Sequence, residues 1–424
     1  MKPPALPGVI SLKAAIYIAL TLLLSFGLAC PMAYGQYVHT SGEQIVDARG
    51  REIHLRGINL GNWMLPEGYM WQLGGHVQSA REIEGLVTEL IGPARDREFW
   101  RTWRDTYITH DDVQLIHQAG FNSIRIPLHY KLFASNDAEG FQLLDRLVQW
   151  SKAEGIYLVL DMHAAPGGQT GTNIDDSSGY PWLFSDPEAQ QQFLDTWQRI
   201  ARRYRNEPTI LGYDLLNEPI PNYPSLMVLN PLLEPLYKRV SGVIRKYDKH
   251  HILILGGAQW DNNFDVFGPP FDPNTIYEWH RYKVVTPDQN VVQRYVDFRQ
   301  KYHVPVWLGE SGEHNDDWIA AFRTVLEKND IGWAFWPYKK MGSTSTVETI
   351  APPEGWSRIV EYSKLLDGAG LTRERLLQRP DQALIDRAFT SLLQNIQLSH
   401  CATNLGYIHA LIPSSALGMK QHEN

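Results

Sequence analysis

Two glutamates in this chain sit where they could do chemistry. Glu218 ends the stretch Thr209-Ile210-Leu211-Gly212-Tyr213-Asp214-Leu215-Leu216-Asn217-Glu218-Pro219, and Glu310 ends Val304-Pro305-Val306-Trp307-Leu308-Gly309-Glu310. Each stretch is a short apolar run that stops abruptly on polar residues, the pattern of a buried parallel strand reaching a polar site. Pro219 cannot donate a ladder hydrogen bond, so the first strand is expected to end there. Alone, Asn-Glu-Pro carries little weight: it arises by chance in about one chain in twenty of this length, and a glutamate there could equally cap a helix. Two strand-end glutamates far apart in sequence carry more. Retaining hydrolysis of a β-glycoside needs one carboxylate as nucleophile and a second carboxyl that first gives and then takes a proton, about 5–5.5 Å apart. Glu310 suits the nucleophile, with Arg125 and Tyr282 placed to hold its carboxylate. Glu218 suits the acid/base, and Asn217 beside it could hold the sugar 2-OH.

The elements that would position these residues alternate. Strands are predicted over 58–63, 121–127, 156–163, 209–218, 251–257, 275–280, 304–310 and 331–339. Helical patterns over 110–120, 143–154, 188–205, 233–247, 291–302 and 316–328 separate most of them. Eight strands in repeated β-then-α units imply an α/β fold, a (β/α)8 TIM barrel with a parallel sheet. An open doubly wound sheet would show a glycine-rich phosphate loop after an early strand, and Gly167-Gly168 lacks that spacing. In a barrel the carboxyl ends of the strands converge on one face. Arg125, His163, Asn217, Glu218, His280, Tyr282, Glu310 and Trp336 all fall at such predicted ends. A single histidine or arginine there is usually structural, but eight residues are hard to assign to coincidence. Residues 37–57 read as short strands and turns, a hairpin able to plug the barrel's amino-terminal end. Loops 64–91 and 169–181 are expected to shape the cleft. Asp175-Asp176 reads as a solvated loop rather than a cation site, because no oxygen-ligand spacing accompanies it. Helices over 356–366 and 381–397 follow the barrel, the first as its last outer helix, and 405–424 reads as frayed.

Composition sets the bounds. The chain has 424 residues, 43% hydrophobic and 20% charged, with net charge −8. That charge argues against a nucleic-acid partner, which wants a basic face. Lys2 and Lys13 precede the apolar run 14–29, and Ala33-Tyr34-Gly35 offers small residues for cleavage. Residues 1–35 therefore read as a signal peptide cleaved near Gly35, with a secreted or periplasmic product. Acylation of Cys30 and retention as an anchor are the alternatives, the run being shorter than the roughly 20 residues of a span. Cys401 is then the one mature cysteine, so no internal disulfide is expected. The organisation expected is a signal peptide over 1–35, one catalytic domain over 36–400 and a tail over 401–424, in a monomer without a stable membrane partner. No cofactor or metal is expected: His163 and His280 lack His-x-His or Glu-x-x-His spacing.

At this point the residues carry a resemblance. Arg56-Gly-Ile-Asn-Leu-Gly, Ser123-Ile-Arg-Ile-Pro, Leu160-Asp-Met-His, Leu216-Asn-Glu-Pro, His280-Arg-Tyr and Leu308-Gly-Glu-Ser-Gly together resemble glycoside hydrolase family 5, the cellulase family of retaining (β/α)8 enzymes. The resemblance runs from about Arg56 to Lys340. It implies Glu218 as acid/base and Glu310 as nucleophile. It places Arg125, His163, Asn217, His280 and Tyr282 around the −1 sugar, with Trp336 rather than Trp333 as its aromatic floor. Glu313 is set aside because the family's nucleophile directly follows Gly309. The loop His163-Ala-Ala-Pro-Gly-Gly-Gln is similar to that of the family's exo-β-1,3-glucanase branch, while Gly312-Glu313-His314 departs from both that branch and the cellulases. The expected substrate is thus a β-glucan, β-1,4 or β-1,3. A non-catalytic carbohydrate-binding barrel and another β-glycan such as mannan are the rivals.

Overall fold

The apolar runs become the staves of a closed barrel. The structure is a computed structural model that describes residues 37–73, 77–177, 179–367 and 372–413. The leader with its cleavage point near Gly35 and the last eleven residues lie outside the described residues. In chain order the strands are β1 (His39–Ser41), β2 (Gln44–Val46), β3 (Arg56–Asn59), β4 (Ser123–His129), β5 (Tyr157–Ala164), β6 (Ile210–Asp214), β7 (Ile252–Gly256), β8 (Thr275–His280), β9 (Val306–Glu310), β10 (Gly332–Phe335), β11 (Lys339–Met341), β12 (Glu348–Ile350) and β13 (Ala402–Thr403). Strands β3 to β10 are parallel neighbours, and β10 pairs with both β9 and β3 to close the barrel. Nearly every residue of these strands is buried, as a parallel sheet covered by helices requires.

The antiparallel hairpin β1–β2 plugs the amino-terminal end. Its Val38 and Ile45 share one buried cluster with the inward residues Val159, Leu211, Ile252, Ile254, Ile276 and Trp307.

Three expectations are corrected. Strand β6 stops at Asp214, before Asn217, so Pro219 does not end it. The chain beyond stays on the rim through Leu215 N–H to Ile254 O (3.0 Å) and Asn217 N–H to Met162 O (3.1 Å). Arg125 is in the middle of β4, paired in register with Asn59 and Val159, and not at a strand end. The stretch 64–91 is not all loop: helix Ala80–Ile91 fills its second half, and Pro93–Tyr107 follows as another helix. Ser79 and Glu82 form a capping box at the first, and Pro93 opens the second.

The carboxyl-terminal part is more ordered than its sequence implies. β11, β12 and β13 form a small sheet outside the barrel. Helix Trp356–Ser363 does not take the last outer place; Leu405–Leu411, in the stretch expected to fray, lies against Asp316–Lys328 with Tyr407, Ile408 and Leu411 buried. Trp356 instead joins Trp71, Phe99, Trp100, Trp103 and Phe389 in an aromatic cluster, with Trp71 and Trp103 stacked at 4.5 Å. Among the described residues no helix is long and apolar enough to cross a membrane.

Candidate active site

All eight residues singled out from the sequence meet at the carboxyl-terminal face of the barrel. Glu310 ends β9, His280 ends β8, and Tyr282 follows β8 by two residues. Trp336 directly follows β10, His163 lies in β5, and Asn217 and Glu218 lie in the loop after β6. Glu218 is held in a left-handed backbone conformation (φ 46°), where its N–H donates to Asp261 Oδ2 (2.8 Å). A non-glycine residue in that region is strained, a condition that collects at functional sites.

The two glutamates are close. One carboxylate oxygen of each, together with a ring nitrogen of His280, lies within a 4.8 Å sphere of mutual separation. Glu310 Oε1 accepts from Arg125 Nη1 (2.6 Å) and Oε2 from the Tyr282 hydroxyl (2.8 Å). Burial alone would push the Glu310 carboxyl up. The charges of His280, Arg125 and His163 and the Tyr282 hydrogen bond outweigh it and hold the carboxyl below its ordinary range. His280 Nδ1 meets Glu218 Oε1 at 3.0 Å, and Nε2 meets Glu278 Oε1 at 3.0 Å. Burial favours its neutral ring, but Glu310 and Asp261, with those two hydrogen bonds, raise its pKa well above the usual value. It then donates from both nitrogens.

Arg125 also fixes which way Asn217 points. Its Nη2 donates to Asn217 Oδ1 (2.9 Å), which makes the amide NH2 the opposite end, 3.4 Å from His163 Nε2. Trp336 stacks on His163 (centroids 5.6 Å apart, planes 14° apart), and its indole N–H reaches the Tyr69 hydroxyl at 2.6 Å. Gly61 is required beneath it: a Cβ there would lie 2.5 Å from the Trp336 ring. The same test explains Gly309 in the Leu-Gly-Glu motif, since a Cβ would come within 1.5 Å of Glu278 Oε1. Trp333 is buried against Phe121 and Phe335 and takes no part. Glu313 pairs with Lys340.

Sequence reasoning missed the polar layer beneath. Arg125 touches Asp161 (3.1 Å), Asp214 (2.7 Å) and Glu278 (3.2 Å) besides Glu310. Burial and the neighbouring Glu278 charge raise the Asp214 carboxyl well above the carboxylate range, against the opposing pull of Arg125. Asp261 is likewise raised by burial. Gln169, fully buried, ties the β5 and β6 loops together by donating to His163 O (2.7 Å) and Asn217 O (3.0 Å). Glu67, 3% exposed after β3, has its carboxyl pushed by burial up to about 8. The available signal was alternation: Glu278 precedes His280 by two residues, as Asp161 precedes His163, so each pair faces the barrel interior.

Asp175 and Asp176 are neither solvated nor arranged around a cation. Asp175 is 1% exposed and accepts from the backbone N–H groups of Thr170, Gly171 and Ser177. Asp176 is paired with His129 and Lys131. Two sets, Asp161/His163/Glu310 and Glu218/His280/Glu310, are close enough to hold a metal. Their donor atoms are already engaged: His163 Nδ1 with Asp161 (2.7 Å), and Glu310 with the guanidinium. A cavity of about 440 Å³ opens beside Glu218, lined by Tyr223, Trp260, Asn262 and Tyr282 among others. A larger groove of about 1110 Å³, beside Trp100 and Arg104, contains none of these residues.

Comparison with known proteins agrees with this geometry. A β-xylosidase of Phanerodontia chrysosporium is 29% identical over 348 residues, covering 72% of this chain and 71% of that protein. Endoglucanase C of Acetivibrio thermocellus is 27% identical over 304 residues, covering 56% of this chain and 85% of that protein. A crystal structure of endogalactoceramidase superposes with a TM-score of 0.55 at 21% identity, over 73% of this chain and 76% of that one, a likeness of fold. The family model described as cellulase (glycosyl hydrolase family 5) matches residues 82–342, which takes in β4 to β10 and all eight site residues. A match over more than half the chain, centred on these strand ends, settles the relationship: the chain belongs to glycosyl hydrolase family 5 and is a glycoside hydrolase.

Proposed function

We propose that this protein is a secreted retaining β-glycosidase that hydrolyses β-glucan by double displacement, with Glu310 as nucleophile and Glu218 as acid/base. The observation that carries the reading is the 4.8 Å limit between carboxylate oxygens of Glu218 and Glu310. Inverting enzymes hold their carboxyls about 6.5–9.5 Å apart to admit a water. Ionised Glu310, held by Arg125 and Tyr282, attacks the anomeric carbon. Glu218 gives its proton to the departing glycosidic oxygen as that bond breaks. His280 occupies Glu218 Oε1, which leaves the second oxygen for this transfer. In the second step Glu218, now a carboxylate, takes a proton from water. The water oxygen attacks the anomeric carbon, and Glu310 leaves with its charge restored. Asn217 NH2 donates to the 2-OH, and Trp336 forms the floor of the −1 sugar. The names of the two relatives, a xylosidase and an endoglucanase, support β-linked pyranosides as substrates. Export through residues 1–35 would place the reaction outside the cytoplasm, with residues 36–400 as the catalytic domain.

The test is product analysis on laminarin and carboxymethyl-cellulose, with the first anomer identified by proton NMR. Early glucose from laminarin alone means exo-β-1,3 action, and a fast viscosity drop on the cellulose derivative means endo-β-1,4 action. The first product is the β-anomer in either case; an α-anomer would refute double displacement. Glu218→Ala lowers kcat/KM by about 10²–10⁴-fold. Azide, which needs no general base, restores turnover of an aryl glycoside and yields the β-glycosyl azide. Loss without azide rescue would remove Glu218 from the acid/base role.

A further inference from the structure

Strand β8 reads Thr275-Ile-Tyr-Glu-Trp-His280, and its one acid, Glu278, is fully buried. A carboxylate taken out of water is costly unless it is well paired, and an apolar residue of the same volume would fill the barrel more cheaply. The position is nonetheless shaped for a carboxylate. Glu278 precedes His280 by two residues, so both side chains face the barrel interior. Gly309, directly before the nucleophile, makes room for it: a Cβ there would lie 1.5 Å from Glu278 Oε1.

That one oxygen meets two donors, His280 Nε2 at 3.0 Å and Arg125 Nε at 3.2 Å. The two depend on it unequally. Without it Arg125 keeps Asp161, Asp214, Glu310, Asn59 and Asn217. The Nε2 side of His280 keeps only Asp261, at 3.5 Å. Its Nδ1 side faces the two glutamates, Glu218 Oε1 at 3.0 Å and Glu310 Oε2 at 3.7 Å. Glu278 therefore bears on Glu218, through the His280 ring, more than on Glu310 through Arg125. A carboxylate on Nε2–H fixes the rotation of the ring and favours the imidazolium, which keeps a second proton on Nδ1. With that charge gone, a neutral ring protonated at Nε2 would turn a bare Nδ1 toward Glu218. It would then compete for the proton that Glu218 must give to the leaving group.

Resting on the functional reading above, we propose that Glu278 is a positioning residue for the acid/base: it holds His280 so that Glu218 delivers its proton to the departing oxygen. The experiment compares wild type with the isosteric Glu278→Gln on two aryl β-glycosides of the sugar that wild type releases. p-Methoxyphenol leaves poorly and needs the Glu218 proton; 2,4-dinitrophenolate departs without it. Rates are taken per site labelled by the 2-deoxy-2-fluoroglycosyl fluoride, so that only folded chains count. On the methoxyphenyl glycoside kcat/KM should fall about 10- to 100-fold, and on the dinitrophenyl glycoside less than about 3-fold. Equal losses on both would place the defect at the nucleophile or in the barrel wall, and no loss on either would show the carboxylate idle; each overturns the proposal. Should Glu278→Gln yield no labelled sites, nitrogen-15 histidine NMR of wild type decides. His280, assigned by its absence in His280→Gln, should carry protons on both ring nitrogens at pH 7, and a ring with one proton overturns the proposal. A wild type inert on both glycosides would refute the hydrolytic reading itself.

Discussion

Arg125 shows why single residues in this site cannot be read one at a time. Its guanidinium is fully buried, a position that would cost several kcal/mol for an unpaired charge. Four carboxyls answer it, and its planar fork divides among them and Asn217 as a lysine ammonium could not. That Glu218, Glu310, His163, His280 and Trp336 would lie together was legible in the sequence because strand ends converge in a barrel. Asp214 and Glu278 were not, because each sits inside an apolar strand where a sequence pattern reads core. Glu67 was missed for a different reason: nothing in its neighbourhood marks a buried carboxyl. Its pKa is about 8 against an ordinary 4.5, chiefly through burial, so the folded state holds that proton more tightly than the unfolded chain. Its contribution to stability is therefore best below about pH 4.5 and is lost as pH rises to about 8. Glu67→Gln, which cannot ionise, should be more thermostable than wild type by a margin that grows between pH 5 and pH 8. Melting temperatures across that range check it; a constant margin would contradict it.

At the scale of elements, the loops do the positioning, and they do it with internal acids. Asp176 takes hydrogen bonds from His129 (3.0 Å), Lys131 (2.9 Å) and the Arg81 N–H (2.7 Å). Burial opposes its charge, but these partners lower its pKa to about 2. The folded pKa lies below the ordinary value, so the stability it contributes is full above about pH 5 and is lost as pH falls toward 2. Asp176→Asn should cost about 2 kcal/mol at pH 7, with the gap to wild type closing by pH 2–3 in denaturant unfolding. A gap independent of pH would contradict the pairing. From sequence, two adjacent aspartates in a glycine-rich loop looked solvated: the partners of Asp176, His129, Lys131 and Arg81, are far away in the chain, and those of Asp175 are backbone N–H groups of the loop itself. That helix itself was legible in principle. Ser79 and Glu82 are a capping box, but the stretch 64–91 was read whole as cleft loop, and Phe99, Trp100 and Trp103, at helical spacing in the next helix, were assigned to no element.

The whole molecule is more than its barrel. Lys339 and Asp112, both fully buried, pair at 2.5 Å where helix His110–Gln118, strand β11 and the carboxyl-terminal helices meet. Lys339 also donates to Tyr107 O (2.8 Å) and Ile396 O (3.1 Å), and Tyr338 donates to Asp112 (2.9 Å). One ammonium thus pins the extension to the barrel wall. Lys339→Met should cost about 3–5 kcal/mol by leaving buried Asp112 without its cation, and adding Asp112→Leu should return most of it. A single variant within 1 kcal/mol of wild type would contradict that role. This link could not be read from sequence, because it joins segments more than 200 residues apart by contacts that no local pattern records. The barrel could be read, because each strand announces itself by a local apolar run. The same logic makes one residue the sharpest test of the whole account. The measurement is trapping with 2-deoxy-2-fluoro-β-glucosyl fluoride, whose leaving group permits the first displacement while the 2-fluorine slows the second, followed by peptide mass spectrometry. One sugar per chain, attached to Glu310 and released on adding a glycoside acceptor, is the predicted result. A label on Glu218, Glu313 or another residue, or no covalent adduct from an enzyme active on its substrate, would contradict it.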